Sequence, residues 1–298
     1  MRIWSCVGRM LAAAVMLLPS LWVAGVVHFH VPSPWSWVVL LAWAGVAAWL
    51  LGALWRDRGR ARLPAVLYLG GLLLAAVCWS RIMPLQERHW ADDVARRLQV
   101  TAFDGRHVQL HNVRNFRWRS QTDYDVVWEQ RQYDLDQLRS ADLLLSYWMG
   151  PMIAHTLVSF GFADGRQLVF SLEIRKEVDE SFDSLAGFFR RYEVILVAAD
   201  ERDIVATRTN ARGEDVYLYR LNLPPETLRA LFVGYLDAAA ALRREPAFYN
   251  TLVSNCTTII FELARRITPA IPMDYRLLLS GYFARYVHQH GGLAPGYD

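Results

Sequence analysis

The sequence predicts an α+β protein: three N-terminal transmembrane helices followed by a domain that combines an antiparallel sheet with a cysteine-bearing helix. Three observations predict it. Residues 10–27, 35–55 and 63–79 are apolar runs of near-spanning length with almost no internal charge. Beyond Leu143, short β-rich runs follow one another in quick succession, separated by turn residues. Residues 226–244 and the stretch after Cys256 carry apolar residues at helical period.

The division that follows is an anchor over 1–80, a stalk and linking segment over 81–111, and a thiol-bearing domain over 112–298. A cleaved signal peptide is the alternative for the first run, with Arg2 and Arg9 ahead of it. However, two further runs follow at once, and no small-x-small cleavage pattern precedes them. Orientation follows from arginine. Arg2 and Arg9 precede the first run, residues 28–34 hold no Lys or Arg, and Arg56, Arg58, Arg60 and Arg62 lie between the second and third. This pattern puts the N-terminus in the cytoplasm and everything after Trp79 outside, as expected of a multi-pass protein of a bacterial inner membrane with a periplasmic C-terminal domain.

The net charge of +3 is unevenly distributed. Residues 1–80 hold six Arg against the single Asp57, or +5, leaving 26 basic and 28 acidic residues, or −2, for the remainder. The outer domain has no basic footprint, so a nucleic-acid partner is not expected. Cys6 and Cys78 flank or end apolar runs, so in this topology neither can pair with Cys256. A disulfide framework and a cysteine-based zinc site are therefore excluded. A lone thiol in an oxidising compartment is a liability unless it is used or buried.

Within the outer part, the charged, helix-compatible residues 81–97 are expected to leave the bilayer as a stalk. Residues 108–110 and 113–118 read as short strands, while 124–135 shows no clean period. Residues 155–162 and 168–175 form a hairpin through Ala163-Asp164-Gly165. If Gly165 takes the left-handed position of a three-residue loop, Phe162 closes opposite Arg166 and His155 falls opposite Glu173. A two-residue Asp164-Gly165 turn would instead oppose His155 to Ile174. Residues 192–198, 204–208 and 216–221 complete a mainly antiparallel sheet of about five strands. Pro225 opens a helix over 226–244, which Pro246 stops, and Ser254 or Asn255 can cap the cysteine helix.

Cys256 at a helix entrance is the candidate nucleophile, because unsatisfied N–H groups and the helix dipole favour a thiolate there. The alternative is a buried, inert cysteine. Cysteine catalysis needs a base and a third group that orients it. His155 and Glu173 supply these residue types on elements that can meet the helix. Taken singly, His155 could be a satisfied strand histidine, and Glu173 a surface partner of Arg175 or Lys176. The Cys256 N–H, with Tyr249 or Asn255, is the candidate oxyanion donor. His107, His111, His288 and His290 lack ligand spacing, so no metal and no cofactor are expected.

Several segments carry a family resemblance: Asn115-Phe116-Arg117, Ala154-His155-Thr156, Ser159-Phe160-Gly161-Phe162, Glu173-Ile174-Arg175-Lys176-Glu177, Asp200-Glu201-Arg202-Asp203, and Phe248-Tyr249-Asn250 through Asn255-Cys256-Thr257-Thr258. Through them, residues 112–290 resemble the DUF4105 proteins, the Lnb-type periplasmic domain. The resemblance implies a circularly permuted papain-like fold of the NlpC/P60 and lecithin:retinol acyltransferase kind, in which the histidine strand precedes the cysteine helix. It also implies acyl transfer through a thioester, since the Lnb members are lipoprotein N-acyltransferases of Bacteroides type. This chain departs from them in carrying its membrane helices before the domain.

The resulting expectation is a membrane-anchored acyltransferase. It would move an acyl chain from phospholipid through a Cys256 thioester to an amine acceptor, a lipoprotein N-terminus being one candidate. The alternatives are a periplasmic cysteine amidase or peptidase acting on cell-wall peptide, and a non-catalytic membrane scaffold. Asn115, Arg117, Arg202 and Asp203 either bind substrate or brace the fold, and bracing is the expected role.

Overall fold

A computed structural model of the protein describes residues 2–56, 58–251, 255–268 and 270–296. The chain divides into two compact units, one of residues 1–83 with 189–191, the other of residues 84–188 and 192–298.

The first unit is built on three helices, α1 (Arg2–His30), α2 (Trp35–Arg56) and α3 (Arg62–Arg81). All three are long and apolar enough to cross a membrane. They meet through a small cluster around Leu50, Ala53, Ala61 and Tyr68. Trp43 stacks on Tyr68 at 4.7 Å, and the Tyr68 hydroxyl donates to the Met16 carbonyl at 3.0 Å. Many of the described apolar side chains of these helices are exposed, among them Leu18, Leu41 and Leu73, as they are where lipid rather than water is the solvent.

The second unit is organised on an eight-stranded sheet. Its strands are β1 (Gln99–Phe103), β2 (His107–Arg114), β5 (Trp128–Asp134), β6 (Leu138–Tyr147), β7 (Ala154–Phe162), β8 (Gln167–Arg175), β9 (Glu193–Ala199) and β10 (Asp215–Arg220). The order is β1-β2-β9-β8-β7-β6-β10, with β5 also on β2, and all pairs are antiparallel except β2 with β9. A separate ribbon pairs β3 (Arg117–Trp118) with β4 (Tyr124–Asp125). Two long helices, α5 (Pro225–Arg244) and α6 (Cys256–Ile267), cover one face, and α7 (Phe283–Gln289) closes the chain. On that face Phe160 and Phe170 meet Phe232 and Tyr235, the Phe170 and Tyr235 rings stacking at 4.9 Å. A second cluster of Leu144, Leu157, Val169, Ile195, Val197 and Ile204 fills the opposite face.

The α+β expectation holds, and so do the hairpin and the two late helices. Gly165 takes φ +84°, the Phe162 N–H donates to the Arg166 carbonyl at 3.0 Å, and the ladder runs Gly161 to Gln167 through Leu157 to Ser171. This is the three-residue register that aligns His155 with Glu173.

Three expectations are corrected. The sheet has eight strands rather than about five. Residues 204–208 are not a strand, because Asp200 caps a short helix, α4 (Glu201–Ala206), by accepting from the Arg202 N–H, and a π turn (Thr207–Ala211) follows. A capping side chain and acidic residues in the first turn favour helix over the local β-branched content. The helical stalk expected over 81–97 does not form beyond Arg81, where α3 ends. From Pro84 onward these residues belong to the second unit, where Trp90 is buried and bridges to Glu177.

Candidate active site

The site forms where β7 and β8 part. Both strands extend beyond their shared ladder, which ends at Leu157 and Ser171. By the period of that ladder, the Thr156 N–H points toward β8, where it would ordinarily meet a carbonyl. It instead donates to Cys256 Sγ at 3.4 Å. The Thr156 and Thr257 hydroxyls lie 3.0 Å apart, holding the start of α6 against β7.

Asn255 fixes that helix start. Its Oδ1 accepts from the Thr257 and Thr258 N–H groups at 2.9 Å each, and the Thr258 hydroxyl accepts from the Asn255 N–H, a complete capping box. Its Nδ2 donates to the Thr251 carbonyl at 2.9 Å. The Asn255 Oδ1 is thus committed to the cap, and one of the two N–H donors of its amide goes to Thr251. The other capping candidate, Ser254, lies outside the described residues. The Cys256 N–H has no acceptor among the described residues, as befits a first-turn donor.

On the sheet side, His155 Nε2 lies 2.7 Å from Ser171 Oγ and 3.3 Å from Glu173 Oε1, and the Ser171 hydroxyl donates to that same oxygen at 2.6 Å. With Nε2 so engaged, Nδ1 is the ring nitrogen left for proton exchange with Cys256, whose charge and that of His155 act on each other. Arg208, in the π turn, donates to Glu173 Oε1 at 2.8 Å and pairs with Glu214 at 3.6 Å. Ser171 and Arg208 were not singled out from sequence. Ser171 had a readable signal, two residues before Glu173 on one face of a strand. Arg208 had none, because it sits in irregular helix.

Charge separation follows from this packing. Burial alone would push the Cys256 thiol up, but the His155 charge, its hydrogen bond and the Thr156 N–H bring it from an ordinary 9.0 down to about 7. Burial and Arg208 oppose a charge on His155, yet Glu173 and Cys256 outweigh them and raise the imidazole from 6.5 to about 9. Glu173 resists burial through His155 and Arg208, which hold its carboxyl well below the usual range. Between about pH 7 and about 9 the resting pair is thiolate and imidazolium. Arg114, Asp203, Phe116 and Trp118 are engaged elsewhere, with Asp203 accepting from the other three. Asn115 bridges Glu129 and Arg202.

Cys256, His155 and Glu173 line one cavity of about 450 Å³. Much of its remaining wall is apolar, including Met149, Ile153, Leu172, Ile174, Phe182 and Leu278. Tyr249 also lines it. Burial, then the charges of Cys256 and Glu173, raise the Tyr249 hydroxyl, so it stays a neutral donor. Among the described residues, no group of three or more His, Cys, Asp or Glu could hold a metal ion.

The model of the Lnb N-terminal periplasmic domain matches residues 124–281, more than half of the chain. The chain belongs to the Lnb periplasmic domain family. His155, Glu173, Arg208 and Cys256 all fall inside the matched region of the Lnb domain. With three membrane-capable helices ahead of that domain, this is a membrane protein with a periplasmic domain. No curated protein and no solved structure matches the chain.

Proposed function

We propose that this Lnb-domain protein is a membrane-anchored thiol acyltransferase that takes an acyl chain from phospholipid and passes it to an amine. One observation carries the reading: Cys256, His155 and Glu173 line one cavity together with an apolar patch of Met149, Ile153, Leu172, Ile174, Phe182 and Leu278, beside the charged Asp93, Lys176, Arg212 and Glu214. In this reading the chain spans the inner membrane three times from a cytoplasmic N-terminus. The order of histidine strand, glutamate strand and cysteine helix is that of a permuted papain-like site.

The Cys256 thiolate attacks the acyl ester carbonyl, with the Cys256 N–H and the Tyr249 hydroxyl receiving the oxyanion. The C–O bond breaks, and imidazolium His155 protonates the departing lysolipid alcohol. An amine then attacks the thioester, and His155, now neutral, takes its proton. The C–S bond breaks and the ion pair is restored. An aliphatic wall suits an acyl chain better than the polar backbone of a wall peptide, which favours transfer from lipid over amide hydrolysis.

The test is incubation of the purified protein with labelled phospholipid, reading hydroxylamine-sensitive label. Wild type should carry label and Cys256→Ala should not. A wild type that stays unlabelled while cleaving cell-wall peptide would establish the amidase instead. Full activity in Cys256→Ala would rule out thiol catalysis of either kind.

A further inference from the structure

Ser171 places a hydroxyl where its neighbours are apolar. It lies opposite Leu157 on β7 and Val197 on β9, and both of these belong, with Leu144, Val169 and Ile195, to the cluster on the sheet face away from α5 and α6. Ser171 itself is only 1 % exposed. A hydroxyl buried in such company is costly unless its hydrogen bonds are made. Both are made within the site: Ser171 Oγ lies 2.7 Å from His155 Nε2 and donates to Glu173 Oε1 at 2.6 Å.

The distances order the partners of His155. Its 3.3 Å separation from Glu173 Oε1 lies beyond the usual N–H···O range of about 2.7 to 3.2 Å, whereas the 2.7 Å to Ser171 lies at the short end of that range. Glu173 Oε1 also accepts from Arg208 at 2.8 Å, which helps keep the carboxylate charged, and a charged carboxylate can only accept. The single hydroxyl proton of Ser171 is therefore spent on Glu173, and its oxygen accepts the proton on Nε2. With two acceptors before it, Nε2 keeps that proton whether His155 is charged or neutral, so the proton that moves in catalysis is the one on Nδ1. Among the described residues, the wall of the thiol cavity includes His155, Leu172 and Glu173 but not Ser171. Ser171 therefore acts through His155 rather than on a substrate.

We propose that Ser171 is a positioning residue of this site: its buried hydroxyl couples His155 to Glu173 and holds the imidazole by Nε2, leaving Nδ1 for Cys256. The inference rests on the reading of Cys256 as an acyl-carrying thiol, and it is the same whether an amine or water receives the acyl group. The charged groups around His155 are Glu173 on β8, Arg208 in the π turn and Cys256 on α6. Cys256 in turn faces His155, Tyr249 and Tyr235. Ser171 adds no charge to this set, so its loss alters the ion pair through the placement of the imidazole.

The test compares two side chains of one shape, threonine and valine, which differ in the hydroxyl and both suit a strand. Any damage to packing is then common to the two variants. Full-length Ser171→Thr and Ser171→Val in detergent are alkylated with iodoacetamide from pH 5 to 10, with Cys256 followed by the mass of its peptide. Ser171→Thr should keep the wild-type rate and the acidic limb at about 7. Ser171→Val should react about tenfold more slowly at pH 7, its limb moved upward, because a displaced imidazolium no longer stabilises the thiolate. A full return to the ordinary 9.0 would cut the thiolate share at pH 7 from about one half to about one hundredth, so a tenfold loss is a partial return. Two variants that both match wild type would show an idle hydroxyl, and two that are equally slowed would show packing alone; either result overturns the assignment. No acyl donor is used, so a failure of phospholipid labelling strikes the acyl-transfer reading and leaves this result intact.

Discussion

The main-chain N–H of Thr156 donates to Cys256 Sγ at 3.4 Å, replacing a sheet hydrogen bond with one to sulfur. The thiol therefore occupies a position that the end of the β7–β8 ladder would otherwise give to a carbonyl oxygen, an acceptor with partial negative charge. A site built for an acceptor favours the thiolate over the thiol. His155 is held on the same strand, one residue away, so nucleophile and acid are positioned by a single segment of β7.

A bell-shaped pH dependence follows. The productive form carries a thiolate and an imidazolium, so activity should rise as pH increases through about 7, where Cys256 loses its proton, and fall above about 9, where His155 loses its own. The two limbs belong to the pair rather than to either residue alone. Initial rates from pH 5 to 10, with iodoacetamide alkylation of Cys256 for the acidic limb, check this. An acidic limb above pH 8.5 would show an ordinary thiol.

The pairing of His155 with Glu173 was readable because a hairpin loop fixes register over its whole length, and Gly165 supplies the left-handed residue that the three-residue loop requires. The cap was readable for a similar reason, being local chemistry at Asn255. Strand β6 was harder to read. Leu143, Leu144 and Leu145 are all buried, since the sheet is covered on both faces, and alternation is lost where neither face meets water. Arg208 was hidden by backbone irregularity: a π turn has no sequence period, and its ion pair with Glu173 spans distant segments.

Glu173→Gln should lower activity by as much as about 10⁴-fold, the loss seen when an orienting carboxylate becomes an amide. The diagnostic readout is the basic limb. Without the carboxylate that helps raise His155, that limb should move from about 9 toward lower pH. Loss of activity with an unmoved basic limb would assign Glu173 to packing alone.

Asn255→Ala removes the acceptor of two N–H groups at the start of α6. Such changes cost about 1 kcal/mol of stability, roughly 2 to 4 °C in a domain of this size. The same variant should slow alkylation of Cys256 at pH 7, because the helix start that presents the thiol is no longer fixed. A thermal midpoint that falls while alkylation is unchanged would separate the cap from the reactivity of the thiol.

Asp203 offers the opposite case, a conspicuous carboxylate away from the cavity of Cys256. It is fully buried and accepts from Arg114 Nε and Nη2 at 2.9 and 3.1 Å, from the Phe116 N–H at 2.8 Å and from Trp118 Nε1 at 2.7 Å. With those four bonds its oxygens have little capacity left for a substrate. Asp203→Ala strands the Arg114 guanidinium, which retains the Asp93 carbonyl at 3.0 Å and the face of the Phe116 ring at 5.5 Å. Breaking a buried pair from one side costs about 3 to 5 kcal/mol, so thermal unfolding should begin well below that of wild type. Alkylation of Cys256 in the fraction still folded should keep its wild-type rate and pH profile. A changed profile at unchanged stability would instead make Asp203 part of the site.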